Sequence, residues 1–200
     1  MLMKLYFTVI GIAMVLISAL NIGFRVAAAH YVIIAVVFCT ALQFALDAVV
    51  AFVVNRFPDK CFGIDNPLFS ISEWERNLYK RLKVRLWATK VWELGSLGGF
   101  SKKSVKEPDN PEYIEKFIIE CNKGVMTHRL SYPVGFLAML TLPGIPAFTI
   151  ALPVAVVNLF LNILPTIVLR HNTPMLKSLL KRLKRKKERN ETELTLKGSF

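Results

Sequence analysis

Acidic residues and cysteines are scarce in this chain of 200 residues, and each shortage argues against a class of protein. Only 14 residues are Asp or Glu, against 26 Lys or Arg, which gives a formal net charge of +12 at pH 7. The three cysteines, Cys39, Cys61 and Cys121, form no CxxC pair and no zinc-binding spacing with histidine. The sequence therefore argues against a disulfide framework, and it predicts no metal site and no resident cofactor.

Charge is also absent from long stretches, which divides the chain into apolar and basic parts. Apolar runs cover 5–24, 31–54 and 131–169, whereas 55–130 and 170–200 hold nearly all of the charge. About 20 apolar residues cross the roughly 30 Å core of a bilayer as a helix, because lipid offers no partner to backbone N–H and C=O groups. The pattern predicts an all-α, polytopic membrane protein.

The lengths of these runs predict four transmembrane helices. The run 5–24 is longer than the apolar part of a signal peptide, so we interpret it as a retained first helix. The run 131–169 is too long for one span, and Pro143, Gly144 and Pro146 interrupt it. It predicts two spans near 131–149 and 151–169, with a re-entrant hairpin as the alternative. The predicted parts are a transmembrane hairpin (1–54), a basic interfacial region with the candidate active site (55–130), a second transmembrane hairpin (131–169) and a basic tail (170–200).

Lysine and arginine in the loops predict the orientation. Residues 55–130 carry 14 of them and 170–200 carry 10, whereas the turn at 25–30 carries only Arg25. This asymmetry predicts a multi-pass protein of the cell membrane whose basic regions, N-terminus and C-terminus all face the cytoplasm.

Asp47 lies deep in the second apolar run, where an unpaired carboxylate is costly. One interpretation is a polar anchor that faces the interior of the bundle or an aqueous cavity. The other is that Asp47 lies near the cytoplasmic end of its helix and reaches water or Arg56. The sequence leaves both open.

Two helices are predicted between the apolar runs. The segment 71–94 has Lys and Arg between widely spaced apolar residues, which is typical of a basic amphipathic helix lying in the membrane interface. Asn110 can cap a second helix that begins at Pro111 and runs to about Leu130.

The second of these helices carries Glu120 and His128, which lie about 12 Å apart along its axis. They cannot hydrogen-bond to each other, but they could flank one substrate. A histidine just before a membrane span can act as a general base on a hydroxyl group, since imidazole titrates near neutral pH. The alternative is an interfacial histidine without a chemical role.

The end of the last apolar run places Arg170, His171 and Asn172 at the predicted cytoplasmic boundary. The forked guanidinium of Arg170 could hold a phosphate or a carboxylate, or it could simply anchor the span. The basic tail at 177–189 follows a predicted membrane span, so anionic lipid is its expected partner and we predict no nucleic-acid partner.

Four sequence blocks occur in a distinctive order. They are RFPDKCF at 56–62, the pattern W-E…Y…V-R-L-W…K from Trp74 to Lys90, IEKFIIE…H at 114–128 and LRHNTPMLKSLLKRLKRKKER at 169–189. Together they resemble the glycosyl-4,4'-diaponeurosporenoate acyltransferases, small bacterial membrane proteins that esterify a fatty acyl chain onto the sugar of a glycosylated carotenoid acid. The chain departs from that family at Val125, where members carry an acidic residue, and at Thr173, where they tend to carry arginine. The HxxxxD box of better-known acyltransferases is absent.

The resemblance implies a membrane acyltransferase that acts on a lipidic, glycosylated, carotenoid-like acceptor. His128 would take the proton of the acceptor hydroxyl, and Glu120 would orient the donor or the substrate. The candidate substrate-binding residues are Arg85, Lys90 and Arg170, which would hold an anionic acyl carrier or sugar acid, and Glu75, Tyr79, Trp87 and Asn172. Acyl-CoA or an acyl carrier protein is the expected donor, with membrane lipids as further partners. The alternative is a non-enzymatic membrane scaffold that binds anionic lipid or a partner protein through its basic tail.

Overall fold

The computed structural model describes residues 2–88 and 105–198, and within them the chain is helical and contains no strand. The α-helices in this part are α1 (Leu2–Gly23), α2 (Ala29–Arg56), α3 (Glu73–Arg81), α4 (Val84–Trp87), α5 (Pro111–Gly135) and α6 (Leu152–Gly198). Short 3₁₀ turns at Asp59–Phe62, Pro67–Phe69 and Phe136–Thr141 and a π-helical segment at Ala147–Ala151 connect them. The predicted all-α class is confirmed.

Three helices of the described residues are long and apolar enough to cross a membrane, so the predicted four spans are wrong. The candidate spans are Tyr6–Gly23, Ala29–Arg56 and Ala147–Thr192. The apolar run 131–169 is shared between two helices, because its first residues complete α5 and its last ones belong to α6. Gly144, with a positive φ of 64°, lies at the reversal between them, a conformation that glycine adopts without strain. The side of the membrane that each end faces stays a prediction.

Hydrogen bonds between helices fix their relative directions. The Asn21 amide donates to the carbonyl of Thr149 at 2.8 Å, and the Tyr6 hydroxyl donates to that of Leu161, so α1 runs antiparallel to α6. The Lys184 ammonium bonds Glu115 at 2.7 Å, and His128 further along α5 contacts Asn162 earlier on α6, so α5 is antiparallel to α6 as well. Gln43 accepts from Asn158 and Asp47 accepts from Asn162, so α2 runs parallel to α6. The C-terminal parts of α2 and α6 and the start of α5 therefore share one end of the bundle, called the basic end below.

Two buried apolar clusters stabilise the bundle. The cluster at the basic end joins α2, α5 and α6 through side chains such as Val54, Ile118 and Leu169. The other joins α1, α2 and α6 through residues such as Ile17, Val36 and Val154. On the outside, many large apolar side chains of α1 and α2 are exposed, which is the surface that a hydrocarbon solvent requires.

The predicted amphipathic helix at 71–94 is interrupted. Lys83 adopts the left-handed conformation with φ of 48° and separates α3 from α4, and residues 89–94 lie outside the described part. Trp74 and Leu86 are 73% and 70% exposed, as an interfacial segment would be. The predicted start of α5 is confirmed, because the Asn110 side chain accepts from two amides of the first turn at 3.0 and 3.2 Å.

Candidate functional site

A layer of polar side chains lies between the two apolar clusters, where α2, α5 and α6 meet. Gln43 and Asp47 project from one face of α2, and Asn158 and Asn162 project from one face of α6, each pair being one helical turn apart. The Asp47 carboxylate accepts from the Asn162 amide at 3.1 Å and from the Asn158 amide at 3.4 Å. The Gln43 carbonyl oxygen also accepts from Asn158, at 3.0 Å.

Helix α5 contributes two contacts to this layer. The Gln43 amide donates to the backbone carbonyl of Gly135 at 2.8 Å, and a Cβ atom added at Gly135 would stand 2.9 Å from the Gln43 oxygen. One and a half to two turns earlier on α5, the Nδ1 atom of His128 lies 2.7 Å from the Oδ1 atom of Asn162. The structure thus joins the predicted base to Asn162 and, through it, to Asp47.

The environment of Asp47 agrees with the interior anchor rather than with a solvated helix end. Its oxygens are bonded to α6, whereas the guanidinium carbon of Arg56 lies 4.5 Å above the Phe52 ring. Asn158 and Asn162 are not among the residues predicted from the sequence. The pattern that indicates them is their spacing of four residues within an otherwise apolar run, which puts two amides on one helical face. Polar side chains are energetically unfavourable in such a run unless they have partners.

A second polar group lies nearer the basic end and holds α3 against α6. The guanidinium of Arg170 makes a forked ion pair with the carboxylate of Glu75, in which its Nη2 atom lies 2.6 Å from Oε2. The same Nη2 atom donates to the carbonyl of Ser70 at 2.8 Å. The hydroxyl of Tyr79 donates to Glu75, and the Tyr79 ring meets His171 edge to face at 6.1 Å.

The contacts of this group shift the pKa values of Glu75 and Tyr79. Burial alone would raise the pKa of Glu75, but hydrogen bonds from Arg170 and Tyr79 and the charge of Arg170 outweigh burial and hold that pKa below its ordinary value. Burial, together with the Glu75 charge, raises the pKa of Tyr79, which keeps the phenol protonated as a donor. A bidentate, buried ion pair of this kind fixes geometry.

Glu120, the second predicted catalytic residue, is bonded to Lys123 rather than to the polar layer. The Lys123 ammonium lies 3.0 Å from Glu120 and 2.6 Å from Asp59, on the 3₁₀ turn that follows α2. Burial would lower the pKa of Lys123, but hydrogen bonds with Asp59 and Glu120 outweigh burial and raise it. The role predicted for Glu120, orienting donor or substrate, stays a prediction.

Three of the remaining predicted residues lie in the described part, and one lies outside it. Arg85 is exposed on α4, Trp87 is half-buried and donates its indole N–H to the carbonyl of Leu82 at 3.0 Å, and Asn172 is half-buried on α6. Lys90 lies outside the described residues. In the described residues no three His, Cys, Asp or Glu side chains cluster as a metal site would need.

The two departures from the family pattern suit the packing around them. Val125 is 1% exposed and belongs to the apolar cluster of the basic end, where an acidic side chain would lack a partner. Thr173 is buried and donates its hydroxyl to the carbonyl of Leu169 at 2.9 Å.

The fold and this layer define a class of protein: an all-helical protein with three helices apolar enough to cross a membrane, in which a half-buried histidine, a buried amide and a half-buried carboxylate are joined across three helices. The sequence model of the glycosyl-4,4'-diaponeurosporenoate acyltransferases matches residues 65–182, more than half of the chain, and the chain belongs to that family. The matched segment includes Glu75, His128, Asn162 and Arg170, whereas Asp47 precedes it. No curated protein and no solved structure gives a significant match.

Proposed function

We propose that this protein transfers a fatty acyl group to a hydroxyl of a glycosylated, carotenoid-like lipid in the cell membrane. Membership of the acyltransferase family supports the reaction class, and its name suggests the acceptor. The observation that carries the residue assignment is the 2.7 Å contact between Nδ1 of His128 and Oδ1 of Asn162, which orients a half-buried imidazole in the polar layer of the bundle.

In the proposed step, Nε2 of His128 takes the proton of the acceptor hydroxyl as its oxygen attacks the carbonyl carbon of an acyl thioester. The new C–O bond forms, the C–S bond breaks, and the proton passes from His128 to the departing thiolate. The products are one ester and one thiol, and the histidine returns to its starting state. General-base assistance of this kind contributes a factor on the order of 10²–10⁴ to the rate.

The donor is proposed to be acyl-CoA or an acyl carrier protein, bound from the basic end. Arg85 and Lys90 are the cations that we propose for its phosphate groups, and Trp87 and Asn172 are proposed as further binding residues. Arg170 and Glu75 already form a forked pair with each other, and Tyr79 donates to Glu75, so their proposed part is to hold α3 beside the site.

Untargeted mass spectrometry of cellular lipids tests the proposal. Cells that express the wild type, His128→Ala or no protein are compared, with the amount of protein in the membrane checked for each. A lipid that gains a fatty acyl mass only with the wild type supports acyl transfer and names the acceptor. Identical lipids in all three cultures would refute it.

One feature favours a scaffold as the second candidate. Four exposed cations, Arg182, Arg185, Lys186 and Arg189, line one face of α6 at the basic end of the bundle and could bind anionic headgroups or an acidic protein. A scaffold requires this face and tolerates His128→Ala. Replacing the four cations by glutamine therefore abolishes function in the scaffold, whereas in the enzyme it weakens association with the membrane or the carrier and leaves the acylated product detectable.

A further inference from the structure

Three helices each supply one member of a hydrogen-bonded series that ends at the predicted base. Asp47 comes from α2, Asn162 from α6 and His128 from α5. The links are 3.1 Å from the Asn162 Nδ2 atom to Asp47 Oδ2 and 2.7 Å from Asn162 Oδ1 to His128 Nδ1. Asn162 is only 6% exposed, so its amide depends on these partners rather than on water.

The functional groups determine which atom donates and which accepts in each hydrogen bond of the series. A carboxylate only accepts hydrogen bonds, so Asp47 requires the NH₂ group of Asn162 to face it. The oxygen of the same amide must then face His128, and an amide oxygen only accepts. The Nδ1 atom of His128 is therefore the donor, and the neutral ring carries its basic lone pair on Nε2.

Asn158 reinforces this direction. Its own NH₂ group donates to Asp47 and to Gln43, and its side-chain and backbone oxygens lie 3.3 and 3.1 Å from the Asn162 NH₂ group. All of these contacts favour the same orientation of the Asn162 amide, because a reversed amide would place its oxygen against two or three other oxygens.

We propose that Asn162 and Asp47 are positioning residues, which hold His128 in the tautomer whose lone pair is on Nε2 and so make it a base toward the acceptor hydroxyl. The catalytic part of this inference rests on the proposed function. The tautomer itself does not, and it can be measured without substrate.

Nitrogen NMR of the intact protein in lipid nanodiscs, labelled with ¹⁵N at histidine, measures the tautomer. The chain has three histidines, so the His128 signals are assigned by their loss in His128→Gln. The wild type is expected to show a protonated Nδ1 at a pH where the ring is neutral. Asn162→Leu is expected to shift the ring toward the Nε2–H form, whereas Asp47→Asn keeps an acceptor for Asn162 and is expected to preserve the wild-type tautomer.

Asn21→Leu is the matched control, because Asn21 is 4% exposed and also bridges two helices, at the far side of the bundle from His128. It removes a buried amide but should leave the tautomer and kcat unchanged. Asn162→Leu and Asp47→Leu are expected to lower kcat about 10- to 100-fold with little change in KM, while Asp47→Asn retains most of kcat.

Two results would overturn the inference. The first is a His128 ring with its proton on Nε2 in the wild type, or an unchanged tautomer in Asn162→Leu. The second is a loss of kcat in Asn162→Leu no larger than that in Asn21→Leu. Failure of the proposed function is seen separately, as absence of acyl transfer by the wild type whatever its tautomer.

Discussion

Glu75→Gln is the substitution that most directly tests how α3 is held on the bundle. It keeps the size of the side chain and one acceptor oxygen but removes the charge that faces Arg170. Arg170 is 4% exposed and cannot turn to water, so its guanidinium would be left with the Ser70 carbonyl at 2.8 Å and a neutral amide.

The size of the effect follows from burial. Removing one partner of a buried ion pair costs about 3–5 kcal/mol, against about 0–1 kcal/mol for exposed pairs. The side chains of Arg170 and Glu75 are 5% and 16% exposed, and one acceptor remains in the variant, so we expect a loss of about 3 kcal/mol. For a chain of this size that lowers Tm by about 6–12 °C.

Buried thiols provide the assay. Cys39 and Cys121 are 0% and 2% exposed, so a thiol-reactive dye reaches them only as the bundle opens. Cys61 is exposed and is replaced by serine in every sample. Tm is then read in detergent for Glu75→Gln and for the control Glu73→Gln, an exposed carboxylate on the same helix.

The control is expected to stay within about 0.5 kcal/mol of the parent, as surface substitutions do. A Glu75→Gln variant as stable as Glu73→Gln would refute the account of the ion pair. Combining Glu75→Gln with Arg170→Met should recover part of the loss, since no buried charge is then left unpaired.

Three further outcomes are expected. The pKa of Glu75 is held below its ordinary value of 4.5. The stability that the ionised carboxylate confers is therefore present above that pH and is lost as the pH falls through the folded-state pKa. The Tm difference between wild type and Glu75→Gln should shrink in acid. Gly135→Ala should lower the free energy of unfolding by about 1–3 kcal/mol, because the new Cβ would press on Gln43 at 2.9 Å. Gly11 has open space around it, so Gly11→Ala should lower it by less than about 0.5 kcal/mol in the same thermal assay. Replacing the four cations at 182–189 by glutamine should weaken salt-sensitive binding to anionic vesicles, measured by flotation, and leave Tm unchanged.

The apolar runs predicted α1 and α2 to within two or three residues at most ends, because a membrane span is encoded by composition alone. The end of the chain was harder to predict. Pro143 and Pro146 predict a boundary between two spans, but the break follows a helix that begins at Pro111, and α6 continues from the apolar run into the tail. Charge marks where a helix leaves the membrane, and it does not end the helix.

The sequence predicts individual residues of the candidate site but not the residues that they contact. His128 and Asp47 stood out as single polar residues beside or within apolar runs. Their connection through Asn162 depends on the packing of α5 and of α2 against α6, which brings together residues 34 and 115 positions apart. The Glu75–Arg170 pair spans 95 positions in the same way. The sequence indicates Arg170 by its place at the end of the last apolar run, and Glu75 only by its resemblance to a family motif. Contacts of this kind are set by helix packing rather than by local pattern.

The central claim is that His128 is the base of an acyl transfer, and a turnover measurement on purified protein tests it most directly. Wild type and His128→Ala are placed in lipid nanodiscs with a glycosylated carotenoid acid and an acyl thioester, either acyl-CoA or acyl carrier protein, and ester formation is followed by mass. The account predicts turnover by the wild type and a loss on the order of 10²–10⁴ in His128→Ala at unchanged Tm. Full activity of His128→Ala would contradict it.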